Sequence, residues 1–225
     1  MGYETIRIRQ DSTSQQIAAG LRDSILRSEL LPGEPIRESV LAEELGVSRN
    51  SVREAVRILE RSGLIDYQMN RGARVREPSK KDLIDLYAAR LAIEVGAAEI
   101  APLDRYEEVL VNAFEDLCSA LQGGATESAV MADLNFHAEA VGIAGSERLD
   151  ALFRRILNEL QLYLAVLSRV EGEYADPDQV ILEHKTLLDA YLGGDRELIT
   201  QALVRHAEEN RGRLERILDV RPSSQ

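Results

Sequence analysis

The chain has 225 residues, 44% of them apolar and 29% charged, a balance that fits one large or two ordinary folded domains and argues against a disordered chain. No apolar run approaches the ~20 residues that a membrane span needs. The start lacks the long apolar stretch of a secretory signal, and the one cysteine, Cys118, excludes an internal disulfide and reads as a small core residue among Phe114, Leu117 and Leu121. These features predict a soluble cytoplasmic protein. The net charge of −12 hides a division: residues 1–80 carry 13 basic against 12 acidic side chains, and the other 145 carry 14 against 27. Within 49–76, seven arginines stand against Glu54, Glu60 and Asp66. Such a basic island on an acidic chain suits local contact with a polyanion.

In chain order, Ser12–Ser14 followed by Gln15 and Gln16 has capping-box spacing, and Ile17, Leu21, Ile25 and the Leu30 region continue it as one apolar helical stripe. Pro32-Gly33 and Pro35 stop that helix. A short helix is expected around Glu38–Leu45, broken by Gly46. Ser48 then caps a helix running to about Ser62. Val52, Val56 and Leu59 form its buried stripe, while Arg49, Arg53 and Arg57 recur every fourth residue on another face. Two helices about a Gly-Val-Ser turn, the second bearing an arginine row, make a helix-turn-helix reader of DNA. Arginine donates two bonds to guanine N7 and O6 and also neutralises phosphate. Leu64–Gln68 and Ala73–Arg76, flanking Asn70-Arg71-Gly72, predict a β-hairpin that would carry Arg71, Arg74 and Arg76 as a basic wing.

The run from Pro32-Gly33 through Leu41-Ala42-Glu43-Glu44-Leu45-Gly46-Val47-Ser48-Arg49, Val52-Arg53-Glu54-Ala55 and Gly63-Leu64-Ile65 resembles the winged helix of the GntR family of bacterial transcription regulators. The resemblance covers about residues 12–76. It implies that Arg49 and Arg53 read bases, that Arg37 and Arg57 support backbone contacts, and that Gly72 lets the wing tip approach the minor groove. Ser48, Asn50, Ser51 and Arg71 complete the candidate DNA-binding set, and the Asn50-Ser51 pair is expected to vary with the operator.

Glu77-Pro78-Ser79 forms a joint, which places a DNA-binding domain at 1–77 and a second domain at 78–225. That second domain reads as almost wholly helical, with helices at about 80–100, 104–122, 127–143, 147–170, 177–192 and 195–218. Six or seven helices with short connections make an antiparallel bundle, so the fold is mainly α with an N-terminal winged helix-turn-helix. All three histidines lie in the bundle. His137, His184 and His206 each follow an apolar residue by three, which turns them inward, and Asp133 stands one turn before His137. The residues alone leave two readings: core imidazoles each bonded to a neighbour, or a first shell for zinc or a similar divalent ion.

Asp133-Leu134-Asn135-Phe136-His137, Glu183-His184 and Arg205-His206 with Asn210 resemble the FCD ligand-binding domain of the FadR-like branch of GntR regulators. The resemblance implies Asp133, His137, His184 and His206 as metal ligands. Zinc is the first expectation, with nickel, manganese or iron also compatible. By the same analogy, Arg90, in an Arg-x-x-x-Glu pattern with Glu94, holds a carboxylate effector, the alternative being a surface pair with Glu94. Asn210, on the His206 face, is a further effector-contact candidate. The expected protein is a homodimeric repressor on a two-fold operator, released by a small organic acid. Two alternatives stand beside it: a metal-dependent hydrolase or isomerase with an appended DNA-binding domain, and an effector-free DNA-binding protein whose bundle only dimerises.

Overall fold

The structure is a computed structural model and describes residues 12–27, 29–68, 72–102, 107–167 and 176–220. The chain divides into two compact units, Met1–Ile25 with Glu29–Arg76, and Leu26–Ser28 with Glu77–Gln225.

In the first unit, helix α1 (Thr13–Leu26) opens with the expected capping box. Ser12 N donates to Gln15 Oε1 at 2.7 Å and Gln15 N to Ser12 Oγ at 3.3 Å. Helix α2 (Glu38–Glu44) and helix α3 (Arg49–Arg61) follow, joined by a turn in which Gly46 has φ +65°. Gly46 N reaches Glu43 O and Val47 N reaches Ala42 O, a Schellman ending whose left-handed position favours glycine. Ser48 caps α3 by accepting from Ser51 N at 3.1 Å. Val52, Ala55, Val56 and Leu59 bury one face of α3, as its periodicity predicts.

The hairpin forms from β2 (Ile65–Gln68) and β3 (Gly72–Val75), with Gln68 opposite Gly72. A third strand, β1 (Pro35–Ile36), pairs antiparallel with β3 and gives the order β1-β3-β2. The segment around Pro35 therefore does more than stop α1. A proline without an N–H is tolerated there because β1 is an edge strand.

The second unit contains α4 (Lys80–Ile100), α5 (Glu107–Gln122), α6 (Thr126–Gly142), α7 (Glu147–Leu167), α8 (Pro177–Gly193) and α9 (Arg196–Val220). These are six helices among the described residues. The expected start of α5 at 104 and end of α7 at 170 lie outside them. Ser79 caps α4 through Asp82 N, and Asp176 caps α8 through Gln179 N with Pro177 in the first turn. The interior gathers Ala98, Phe136, Leu187, Tyr191, Ile199 and Leu203 from α4, α6, α8 and α9. Arg196 ties the start of α9 to the end of α4 by donating to the carbonyls of Ala98 and Ala101, which no residue of α4 itself can satisfy. Cys118 is half-buried at the edge of α5 rather than in the core, while its neighbours Leu117 and Leu121 are buried.

Leu160, wholly buried on α7, sets the scale of this packing. Replacing it with alanine is expected to cost about 2–5 kcal/mol, read as a lower urea midpoint with an unchanged slope.

Candidate functional site

Arg49, Asn50, Arg53 and Arg57 are all exposed on α3, as is Arg37 just before α2, and Ser51 is half-buried. The guanidinium groups stand among acidic neighbours. Arg53 lies 3.6 Å from Glu38 of α2, and Glu54 lies 3.8 Å from Arg57 and 3.6 Å from Arg61. Such exposed pairs are weak, so Arg53, Arg57 and Arg61 can each exchange a carboxylate for a phosphate or a base edge at small cost. Gly72 has φ +76° with open space around an added Cβ; its positive φ, rather than crowding, favours glycine there. Two of the three wing arginines differ from expectation. Arg74 donates to the Gly33 carbonyl at 2.8 Å, and Arg76 pairs with Asp66 at 3.1 Å, so both hold the sheet together. Arg71 lies outside the described residues.

In the helical unit, Asp133 and His137 on α6, His184 on α8 and His206 on α9 converge, none more than 6% exposed. One nitrogen from each imidazole lies within 4.8 Å of those of the other two. The Asp133 carboxylate faces two of them, 3.7 Å from His137 Nε2 and 3.7 Å from His184 Nε2. Each ring is oriented by a neighbour. His184 Nδ1 donates to the Val180 carbonyl at 2.9 Å, which leaves Nε2 with its lone pair and no hydrogen-bond partner. Glu94 Oε1 lies 2.8 Å from His137 Nδ1, an approach that suits a protonated nitrogen and again leaves Nε2 basic.

His206 follows the same pattern by another route. Arg213 donates to Asn210 Oδ1, so Asn210 Nδ2 is the atom facing His206 Nε2 at 3.0 Å. An amide N–H aimed at Nε2 requires a lone pair there. His206 Nε2 also lies 3.1 Å from His137 Nε2, and the Glu94 carboxylate 2.8 Å from His137 Nδ1 favours the tautomer in which both Nε2 atoms carry lone pairs. In that tautomer two lone pairs face each other at contact distance, an arrangement that could hold a metal ion. Burial, the largest influence, pushes the pKa values of both His137 and His206 down, with Arg90 acting in the same direction on each. Neutral imidazoles are the form that binds metal.

Arg90 is buried, 1% exposed, and pairs with Glu94 through Nε at 3.3 Å to each carboxylate oxygen. The expected Arg90–Glu94 pair therefore exists, but inside the bundle and beside His137 rather than at the surface. Arg90 Nη2 has no hydrogen-bond partner. Burial works against the ionised form of Glu94, and the attraction of Arg90 and His137 overcomes it and holds the carboxyl below its usual range. Burial likewise opposes ionised Asp133, and His184, His137 and Arg90 outweigh it. The sequence reading missed the roles of Glu94, Glu183 and Arg213. Arg213 clasps Glu183 with two 2.8 Å bonds and shares a helix face with His206 and Asn210, at +7 and +3 from them. That spacing was the signal available.

A winged helix with an exposed arginine row, carried on one chain with a helical unit that encloses a buried cluster of three histidines, defines a transcription regulator with an appended sensing domain. Residues 13–75 match the gntR family of bacterial regulatory proteins and residues 85–209 match the FCD domain. The chain belongs to the FCD-domain regulators of the gntR family. It is 28% identical over 202 residues to a probable D-xylose utilization operon transcriptional repressor of Paenarthrobacter nicotinovorans, covering 89% of this chain and 88% of that one. It is 25% identical over 232 residues to the galactonate operon transcriptional repressor of Escherichia coli K12, covering 91% and 97%. Its fold matches a crystal structure of a GntR transcriptional regulator from Rhodococcus sp. RHA1 with a TM-score of 0.75 and 26% identity, over 93% of this chain and 99% of that one. The protein is a regulator and not an enzyme. The hydrolase or isomerase alternative has no counterpart among these relatives.

The buried Arg90–Glu94 pair generates a test of this centre. Glu94→Leu leaves a fully buried guanidinium without its counter-charge and is expected to cost about 3–5 kcal/mol in chemical unfolding, whereas an exposed pair of the same spacing would cost about 0.3–0.5 kcal/mol.

Proposed function

We propose that this regulator is a homodimeric repressor released from a two-fold operator by a small carboxylate metabolite held beside a divalent metal ion in the helical unit. Residues 1–77 would read the operator and residues 78–225 would bind the effector and dimerise. The observation that carries the reading is the 3.1 Å approach of the His137 and His206 Nε2 atoms, with the unpartnered Nε2 of His184 beside them. Three imidazoles and a carboxylate suit zinc first, with nickel, manganese or iron also compatible. Asp133, His137, His184 and His206 would hold the ion, and Glu94 and the Val180 carbonyl would orient the rings.

The bound ion would supply positive charge and open coordination positions for an effector oxygen. Arg90 supports the same assignment from the protein side, since its Nη2 remains available for a carboxylate within the buried centre. Asn210, next to His206, is the second proposed effector contact. A relative named for the galactonate operon supports a small hydroxy acid as the effector class. Release would follow from a difference in effector affinity between the DNA-competent arrangement and the released one.

On the DNA side, Arg49 and Arg53 are proposed to read bases, with Ser48, Asn50, Ser51 and Gly72 close to the duplex. Arg37, Arg57 and Arg71 would contact its backbone. Arg49→Ala is expected to weaken operator binding by about 1–3 kcal/mol and relax sequence preference, while Arg57→Ala weakens binding to all sequences alike. Equal loss on operator and random DNA for Arg49→Ala would count against base reading.

For the helical unit, the expected result is about one zinc per chain with a rise in thermal midpoint. His184→Ala should remove the stoichiometric zinc and effector-driven release while leaving the helical content and DNA binding in place. Release that persists in this variant would separate effector sensing from the histidine centre.

A further inference from the structure

A cleft of about 350 Å³ opens between α8 and α9, lined among others by Gln179, Glu183, Arg205, His206 and Glu209. His206 belongs to two environments: its Nε2 faces the histidine centre, and its ring forms part of the cleft wall. His137 and His184, by contrast, are 0% and 1% exposed. Between cleft and centre stands Glu183, with Oε2 3.9 Å from His206 Nδ1. Arg213 holds both of its oxygens at 2.8 Å, and Gln179 Nε2 donates to Oε1 at 2.8 Å. The same guanidinium reaches Asn210 Oδ1, so one side chain clasps both the carboxylate on the cleft side of His206 and the amide on its inner side.

From this placement we infer that the α8–α9 cleft is the port through which a divalent cation enters and leaves the histidine centre, with Glu183 as the carboxylate that receives it and Arg213 as the latch. The inference rests on the reading of that centre as a metal site. Size and chemistry agree with it. A divalent ion with six waters needs about 180 Å³ at ~30 Å³ per water, which the cleft accommodates. A carboxylate exchanges readily for water around a hard or borderline cation and stands next to the first imidazole the ion would meet. The latch lies where solvent reaches it, the Arg213 side chain being 26% exposed, so it can open without unpacking the core.

The test is the kinetics of Co²⁺ and Zn²⁺ exchange in the full-length protein, with uptake followed by absorbance and release driven by excess chelator. Arg213→Met keeps the aliphatic stem and removes the clasp. Uptake and release should both accelerate, by about tenfold on the scale of a two-bond Arg–carboxylate contact. Arg213→Lys, which keeps one contact, should give a smaller rise and carries the test if the methionine variant does not fold. Lys185→Met, which breaks the exposed Lys185–Asp189 pair on the same helix, should leave both rates unchanged.

The uptake rate decides. Faster uptake supports the port, whereas unchanged or slower uptake with faster release would mean that Arg213 only braces His206 through Asn210, and would overturn it. A wild-type protein that takes up neither ion would overturn the metal reading and the port together.

Discussion

A guanidinium group sealed inside a helical bundle must have a counter-charge, and Glu94 supplies it for Arg90 one turn away on the same helix. The same carboxylate reaches across to His137 on α6. That second contact is what the centre depends on, because a carboxylate 2.8 Å from Nδ1 favours the imidazole proton there and leaves Nε2 facing His206. Without it the ring could adopt the other tautomer, and the facing basic nitrogens would become an ordinary donor–acceptor pair. The bundle thus carries a costly buried charge in a position where its compensation also sets the chemistry of a neighbouring ring.

The three imidazoles reach a common state by three different means. A carboxylate orients His137, a backbone carbonyl orients His184, and an amide held by Arg213 orients His206. Two of these contacts lie within one helix, His184 with Val180 on α8 and His206 with Asn210 on α9, and only the Glu94–His137 contact, from α4 to α6, depends on how helices pack. The DNA-reading face follows the opposite logic. There Arg53 and Arg57 stand exposed beside single carboxylates at 3.6 and 3.8 Å, loose enough to be exchanged for a phosphate.

Much of this was legible along the chain. Capping at Ser12 and Ser48, and the 3.6-residue stripes of α1, α3 and the bundle helices, depend on neighbours within one turn, and the helix positions follow from them. The inward turn of the three histidines could be read the same way, from an apolar residue three places before each. What escaped the reading depends on distant partners. Strand β1 exists only because β3 offers it an edge, and Arg74 serves the sheet because the Gly33 carbonyl, 41 residues away, lies within its reach. Arg90 and Glu94 have the spacing of a surface pair, and nothing within that helix says that the pair is enclosed.

The sequence by itself determined which residue types are available and on which helical face each one sits, because periodicity and capping are local constraints of backbone geometry. It thereby determined a winged DNA-reading module and an all-helical domain with inward imidazoles. Only the tertiary structure decided that the Arg90–Glu94 pair is enclosed, that the three imidazoles meet, and that Arg213 clasps Glu183 beside His206. The meeting of His137 with His206 and of Glu183 with Arg213 depends on distances of about 3 Å between side chains 69 and 30 residues apart, and burial of charge is settled only once the helices pack.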